Sequence, residues 1–189
     1  MLKLSDNSEK FLQNNETKRI AIIIAFKDFK DEEYFRTREV LEEAETEIKV
    51  VSDKLGKAQG ADGGETEVDL KLSDLDISEF DAVVFIGGSG TISCLDNEDS
   101  YKIVKDVVRQ NKILSAICIS PVILAKAGVL QGRKATVWTN PLNKEPKKVL
   151  EENGAEYQNE SVVVDGKIIT ANGPAAAQEF GKKILEVLK

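Results

Sequence analysis

The chain has 189 residues, 41% hydrophobic and 31% charged, a balance and length that predict one globular domain. Its net charge of -7 argues against nucleic acid or an anionic membrane as a partner, and its complete lack of histidine excludes a Cys-His pair, a Ser-His-Asp triad or a His-ligated zinc within one chain. No apolar run approaches the roughly 20 residues that span a bilayer, and the polar start holds no apolar core of signal-peptide length, so a cytoplasmic protein is expected.

Residues 1–18 are polar and without period, and read as a flexible or weakly helical extension ahead of a domain at 19–189. The continuous apolar run Arg19-Ile20-Ala21-Ile22-Ile23-Ile24-Ala25 fits a strand covered on both faces. A helix follows at about 31–44, with Asp28 and Asp31 spaced as a variant capping box. Tyr34, Thr37, Val40, Leu41 and Ala44 share one face of it; Glu33 projects onto that face and Glu32 onto the opposite one. A second strand is expected at Glu47–Ser52, then a glycine-bearing excursion over 53–70 with short hairpin strands. The third main strand, 81–86, runs into Gly87-Gly88-Ser89-Gly90, and a helix follows at about 98–110. The fourth, 112–117, stops at Cys118, where a helix of about 120–127 begins with Pro121 in its first turn and Gly128 at its end. A short strand at 135–138, a helix at about 143–153, a hairpin over 162–170 with an Asp-Gly turn, and a helix from Pro174 to about Leu188 complete the chain. Strands alternating with helices predict an α/β fold: a single flavodoxin-like three-layer sandwich with a mostly parallel central sheet and a nucleophile elbow at Cys118.

Three features carry possible chemistry, and each has a plainer reading. Ala116-Ile117-Cys118-Ile119-Ser120-Pro121 is a strand-to-helix elbow that sets a cysteine at the C-terminal edge of the sheet, where open α/β folds place their sites. Free amide N–H groups and the helix dipole there are expected to lower the thiol pKa; the plainer reading is a buried core cysteine. Gly87-Gly88-Ser89-Gly90 lets backbone N–H groups approach a ligand, as an oxyanion hole requires, or is simply a tight turn. Glu33, facing inward, is a candidate general acid/base that keeps its proton beside a thiolate, or else a first-turn charge satisfying the helix dipole. Cys94 reads as structural; Trp138 and Tyr34 fit either a pocket wall or the core.

These residues resemble the PfpI/ThiJ superfamily, which has a protein-deglycase branch and an intracellular-protease branch. Phe29-Lys30-Asp31-Glu32-Glu33 is similar to the family's F-E-D-x-E, Ile86-Gly87-Gly88 to its P-G-G, and Ala116-Ile117-Cys118 to its A-I-C elbow. Ala127 through Lys134 is similar to A-G-V-L-x-G-R-K, and Thr170-Ala171-Asn172-Gly173-Pro174 to T-S-R-G-P. The resemblance spans 19–189 and implies Cys118 and Glu33 as the catalytic pair, with Gly87, Gly88, Ile119, Asn140 and Gly173 forming the oxyanion or binding positions. It also implies a homodimer and no cofactor or metal. The departures are specific. Ile119 stands where the protease branch has histidine, Asn140 where the deglycase branch has the histidine of T-H-P, and Asn172 where an arginine precedes Gly-Pro. Protease activity is therefore the family function least expected here.

Two functions follow from the resemblance. One is a glyoxalase or deglycase acting on small α-oxoaldehydes such as methylglyoxal or on their protein adducts, weakened by the missing histidines. The other is a non-enzymatic, stress-protective protein switched by peroxide oxidation of Cys118. A flavin-binding reading is permitted by the order of elements, but no phosphate-binding loop follows strand one.

Overall fold

Two apolar clusters, one on each face of a seven-stranded sheet, organise residues 17–189, which are those described by the computed structural model. The expected extension at 1–18 lies outside the described residues except for Thr17 and Lys18. The chain runs β1 (Arg19–Ile23), β2 (Lys27–Phe29), α1 (Asp31–Glu43), β3 (Glu47–Ser52), β4 (Gly56–Gly60), β5 (Glu65–Val68), β6 (Leu70–Lys71) and β7 (Ala82–Phe85). It continues through α2 (Thr91–Leu95), α3 (Glu98–Arg109), β8 (Ile113–Ile117), α4 (Pro121–Lys126), β9 (Lys134–Ala135), α5 (Glu145–Glu152), β10 (Glu156–Tyr157), β11 (Val162–Asp165), β12 (Ile168–Ala171) and α6 (Ala177–Leu188).

The main sheet has the order β11-β12-β8-β7-β1-β3-β6, and every pairing is parallel except β11 with β12. Along β1 and the residues after it, Ile20, Ile22 and Ile24 point into one cluster, with Leu41 of α1 and Phe180 and Ile184 of α6. Ala21, Ile23 and Ala25 point into the other, with Val104 and Val107 of α3, Leu124 of α4 and Leu150 of α5. Because both faces are covered, the strand reads as a continuous apolar run rather than an alternation. The predicted three-layer α/β sandwich is thus the observed architecture. Among the described residues, no helix is long and apolar enough to cross a membrane.

The details differ from expectation in four places. A second, three-stranded sheet, β2-β4-β5, had no visible strand signal in Lys27–Phe29, a segment of only three residues with one buried. The predicted strand at 135–138 shrinks to β9, which pairs only with β10. In the β11–β12 hairpin Asp165 is still paired, with Ile168, so the two-residue turn is Gly166-Lys167 and Gly166 supplies the positive φ of 61°. The capping box at α1 does not form: Lys30 is the N-cap residue, with no side-chain cap.

Asp31 does different work. Its carboxylate accepts hydrogen bonds from the backbone N–H of Asp62 at 2.8 Å and of Gly64 at 2.6 Å, binding the glycine excursion to the first turn of α1. Gly60 and Gly64 must lack side chains here, since a Cβ on either would lie 2.3–2.4 Å from that carboxylate. Removing the acceptor leaves two N–H groups without their charged partner, and such bonds contribute about 1.5–3 kcal/mol each. Asp31→Ala is expected to lower unfolding stability by about 3 kcal/mol in urea titrations. A loss below about 0.5 kcal/mol would mean that the loop is held by other contacts.

Candidate active site

The site forms where β7 and β8 end, at the C-terminal edge of the sheet. β8 stops at Ile117, and Cys118 takes a φ of 63°, a left-handed conformation that a non-glycine residue holds only under constraint. The constraint is visible: its N–H donates to Ala171 O and its carbonyl accepts from Trp138 N–H, both at 2.8 Å. Ser120 Oγ donates to Ile86 O at 2.8 Å, fixing the elbow to the loop that follows β7. Lys30 N–H donates to Gly87 O at 2.8 Å, fixing the start of α1 to the same loop. Three elements therefore share one set of backbone bonds, and Glu33, Cys118 and the glycine loop are held in fixed relation.

Gly87 stands between the two reactive side chains. A Cβ there would lie 2.5 Å from Cys118 Cβ and 2.8 Å from Glu33 Oε2. Gly88 has a φ of 130°, and a Cβ on it would strike the backbone of Asp28, Phe29 and Lys30. The glycines thus allow close approach of three segments, which a simple surface turn would not need.

Glu33 is completely buried. Its Oε2 accepts from Gly87 N–H at 3.1 Å, while Oε1 has no hydrogen-bond partner among the described residues. Burial raises its pKa to about 7, against smaller lowering contributions from the Cys118 thiol, the Gly87 N–H and the Lys30 ammonium. The thiol sits close to the carboxyl without a well-aligned hydrogen bond, so the contact is governed by where their proton resides. Here one expectation is corrected. Burial, then the neighbouring Glu33 carboxylate, push the Cys118 thiol up from its ordinary value, and the N–H groups of Ile119 and Gly88 only partly offset this. Helix α4 is short and begins at Pro121, beyond the cysteine, so its dipole is a weak counterweight. The carboxylate's share of that shift exists only while Glu33 is ionised. Protonating Glu33 removes the repulsion, so the two groups titrate as one unit.

Cys118 opens onto a cleft of about 370 Å³, lined by Lys30, Glu33, Gly88, Ser89, Ile92, Cys118, Ile119, Trp138 and Pro174. The structure thus brings Cys118, Glu33, Gly87, Gly88 and Ile119 together. The N–H of Gly87 is committed to Glu33, leaving those of Gly88 and Ile119 as the donors nearest the sulfur. Gly173 lies behind the wall, where a Cβ would contact Trp138 Cδ1 at 3.6 Å. Asn140 is not brought to the cleft: its Oδ1 accepts from Leu142 and Asn143 N–H, both at 2.8 Å, closing its own turn. An asparagine before proline favours such a local turn, which explains why it does not occupy a ligand position. Tyr34 is core, bonded through its hydroxyl to Thr66, whereas Trp138 is wall.

Sequence reasoning missed Lys30, Ser89, Ile92 and Pro174 as lining. Two of them carried a signal. Lys30 stands three residues before Glu33, one helical turn away, and Ile92 is an apolar residue two positions after the glycine loop. Lys30 Nζ pairs with Asp62 at 2.6 Å, which raises its pKa and keeps it cationic.

The buried carboxyl has a consequence for stability. In the folded state its pKa is about 7, above the ordinary value of 4.5, so between those values the native state binds more protons than the unfolded state and stability falls as pH rises. Glu33→Gln keeps the acceptor for Gly87 N–H and cannot ionise. The variant is expected to be more stable than the wild type at pH 8, by on the order of 3 kcal/mol, with the difference vanishing below about pH 4.5. Urea melts across that range check it; a difference independent of pH would mean that Glu33 is not the titrating group.

A DJ-1/PfpI family model matches residues 18–187. An uncharacterised protein of Methanocaldococcus jannaschii is 38% identical over 184 residues, covering 97% of this chain and 88% of that protein. A Thermococcus kodakarensis protein named as a deglycase is 32% identical over 168 residues, covering 89% of this chain and 98% of that protein. The crystal structure of a ThiJ/PfpI domain protein from Brachyspira murdochii superposes with a TM-score of 0.86 at 35% identity, covering 92% of this chain and 97% of that one. With the elbow, the glycine loop and the inward glutamate in place, the chain belongs to the DJ-1/PfpI family.

Proposed function

We propose that this protein converts small α-oxoaldehydes, free or as protein adducts, by a thiol-dependent internal redox reaction. The observation that carries this is a completely buried carboxyl with a pKa of about 7 set against the thiol of an elbow cysteine. The deglycase-named relatives support the substrate class.

In the reactive tautomer the pair's single proton has moved from sulfur to Glu33, so that sulfur carries the charge; the form it exchanges with keeps that proton on the thiol, whose pKa is the higher of the two. Sulfur bonds to the aldehyde carbon, the carbonyl electron pair moves to oxygen, and that oxygen takes the Glu33 proton; the product is a hemithioacetal. The N–H groups of Gly88 and Ile119 are the donors for the developing oxyanion. Glu33, now a carboxylate, removes the proton from the former aldehyde carbon and returns it to the adjacent carbon, while the hydroxyl proton passes to the neighbouring oxygen. One carbon is oxidised to a thioester and the other reduced to an alcohol, with no external oxidant. Water then releases a 2-hydroxy acid and the free thiol. No histidine assists any step, and a missing acid/base group typically costs 10²–10⁴-fold, so slow turnover is part of the proposal.

A second reading concerns the same sulfur. A peroxide would transfer oxygen to the thiolate, forming S–O as O–O breaks, and a second equivalent would give a sulfinate. The unpartnered Oε1 of Glu33 favours this reading, because a protonated carboxyl there has a hydrogen bond to give. Peptide mass spectrometry after mild peroxide treatment tests it: a sulfinate confined to Cys118 supports it, and an unmodified Cys118 rejects it.

For the enzyme reading, wild-type protein is expected to convert methylglyoxal to lactate, Cys118→Ala to abolish conversion, and Glu33→Gln to reduce kcat by about 10²–10⁴-fold. In the wild type kcat/KM should rise with pH through about 7, as the pair loses its first proton, and Glu33→Gln should lack that inflection. No conversion by the wild type, or undiminished conversion by Cys118→Ala, rejects the reading.

A further inference from the structure

The walls of the cleft say more about its occupant than the reacting pair does. Beyond Cys118, Glu33 and Lys30 the lining is mostly apolar, made of Ile92, Ile119, Trp138 and Pro174, with Gly88 and the exposed Ser89 completing it. Ile92 and Ile119 are aliphatic, Trp138 is the chain's one tryptophan, and Pro174 starts the final helical segment. Lys30 is the only cation of the lining, and its charge is already met by Asp62 at 2.6 Å. The main chain of Trp138 is anchored beside the nucleophile, its backbone N–H donating to the carbonyl of Cys118 at 2.8 Å. The indole and the Cys118 thiol thus line the same cleft from residues joined through their backbones.

A three-carbon aldehyde would leave most of about 370 Å³ filled with water against these apolar walls. An aromatic or branched alkyl substituent on the keto carbon would displace that water and pack against Trp138 and Ile92. A guanidinium or ammonium group, as carried by an adduct of arginine or lysine, would lose its hydration there; the carboxylates that could meet it are Glu33, which is protonated in the reactive form, and Asp62, already paired. A carboxylate-bearing aldehyde would have to displace Asp62 from Lys30.

We infer that the cleft selects free α-oxoaldehydes bearing an aromatic or branched apolar substituent, with Trp138 and Ile92 as the specificity-determining residues. The inference rests on the proposed oxoaldehyde chemistry for its substrate head group, but the apolar subsite itself does not. Phenylglyoxal should be converted with a kcat/KM at least about 10-fold above that of methylglyoxal, the gain a well-packed apolar substituent gives. Ile92→Asp, a change at a partly exposed position, should shrink that ratio about 10-fold by placing a charge where the ring lies.

Binding can be read without turnover, because Trp138 is the sole indole and forms the wall. Acetophenone, which lacks the aldehyde, should quench its fluorescence saturably in the Cys118→Ala protein, at least about 10-fold more tightly than butanone does, and Ile92→Asp should abolish saturation. If no aldehyde is converted yet acetophenone saturates in this way, the oxoaldehyde reading falls and the apolar subsite stands. Equal kcat/KM for the two aldehydes, or quenching that stays linear in acetophenone and indifferent to Ile92→Asp, overturns the inference.

Discussion

The site depends on a single costly arrangement: the Glu33 carboxyl, with no exposed surface, packed beside the Cys118 thiol. Ionising both groups would set two negative charges side by side in a poorly hydrated space, which burial makes expensive. Lys30 is the cation that acts on Glu33, and it is already engaged by Asp62. The protein therefore resolves the conflict with a proton rather than a counter-ion. In the proposed reaction, transfer of that proton between sulfur and oxygen serves thiol addition and proton shuttling alike, and burial is what brings Glu33 near neutral pH. It also explains how a chain without histidine retains a group that titrates near 7.

Holding that arrangement requires strain and close backbone approach, and the fold spreads the cost over several segments. The positive φ of Cys118 is over-determined by backbone bonds to the end of β12 and to Trp138. The glycine loop is pressed against β2 itself, so closely that a Cβ on Gly90 would lie 1.8 Å from Lys27 O. Asp31 then ties the same turn of α1 to the loop at 60–64. The second sheet and its 60–64 loop thus support the first turn of α1.

Much of this was legible in the sequence, and the boundary between what was and what was not is physical. The apolar runs of β1, β7 and β8 and the helical face of α1 reflect burial on both sheet faces, a property that each segment carries in its own composition. The inward projection of Glu33 follows from helix geometry alone, and the elbow from a strand, a cysteine and Pro121 in succession. What failed depends on partners distant in sequence. The three residues of β2 are a strand only because β4 returns to pair with them. Asp31 spends its carboxylate on residues 62 and 64 rather than on its own helix, a choice local spacing cannot show. The thiol's pKa was misjudged for the same reason: the elbow's donors are local, but the desolvation and the Glu33 charge come from the packing of the whole site.

The division of labour in the cleft follows from these constraints. A pair whose function depends on one shared proton cannot tolerate a further strong charge nearby, since a fixed cation would ionise Glu33 and a fixed anion would hold the sulfur protonated. Ile119 lines the cleft beside the pair, and Asn140 is turned into its own loop. The walls of the cleft are instead largely apolar: Ile92, Ile119, Trp138 and Pro174. They keep the local dielectric low, and that burial lifts the Glu33 carboxyl to about 7 while pushing the Cys118 thiol up as well.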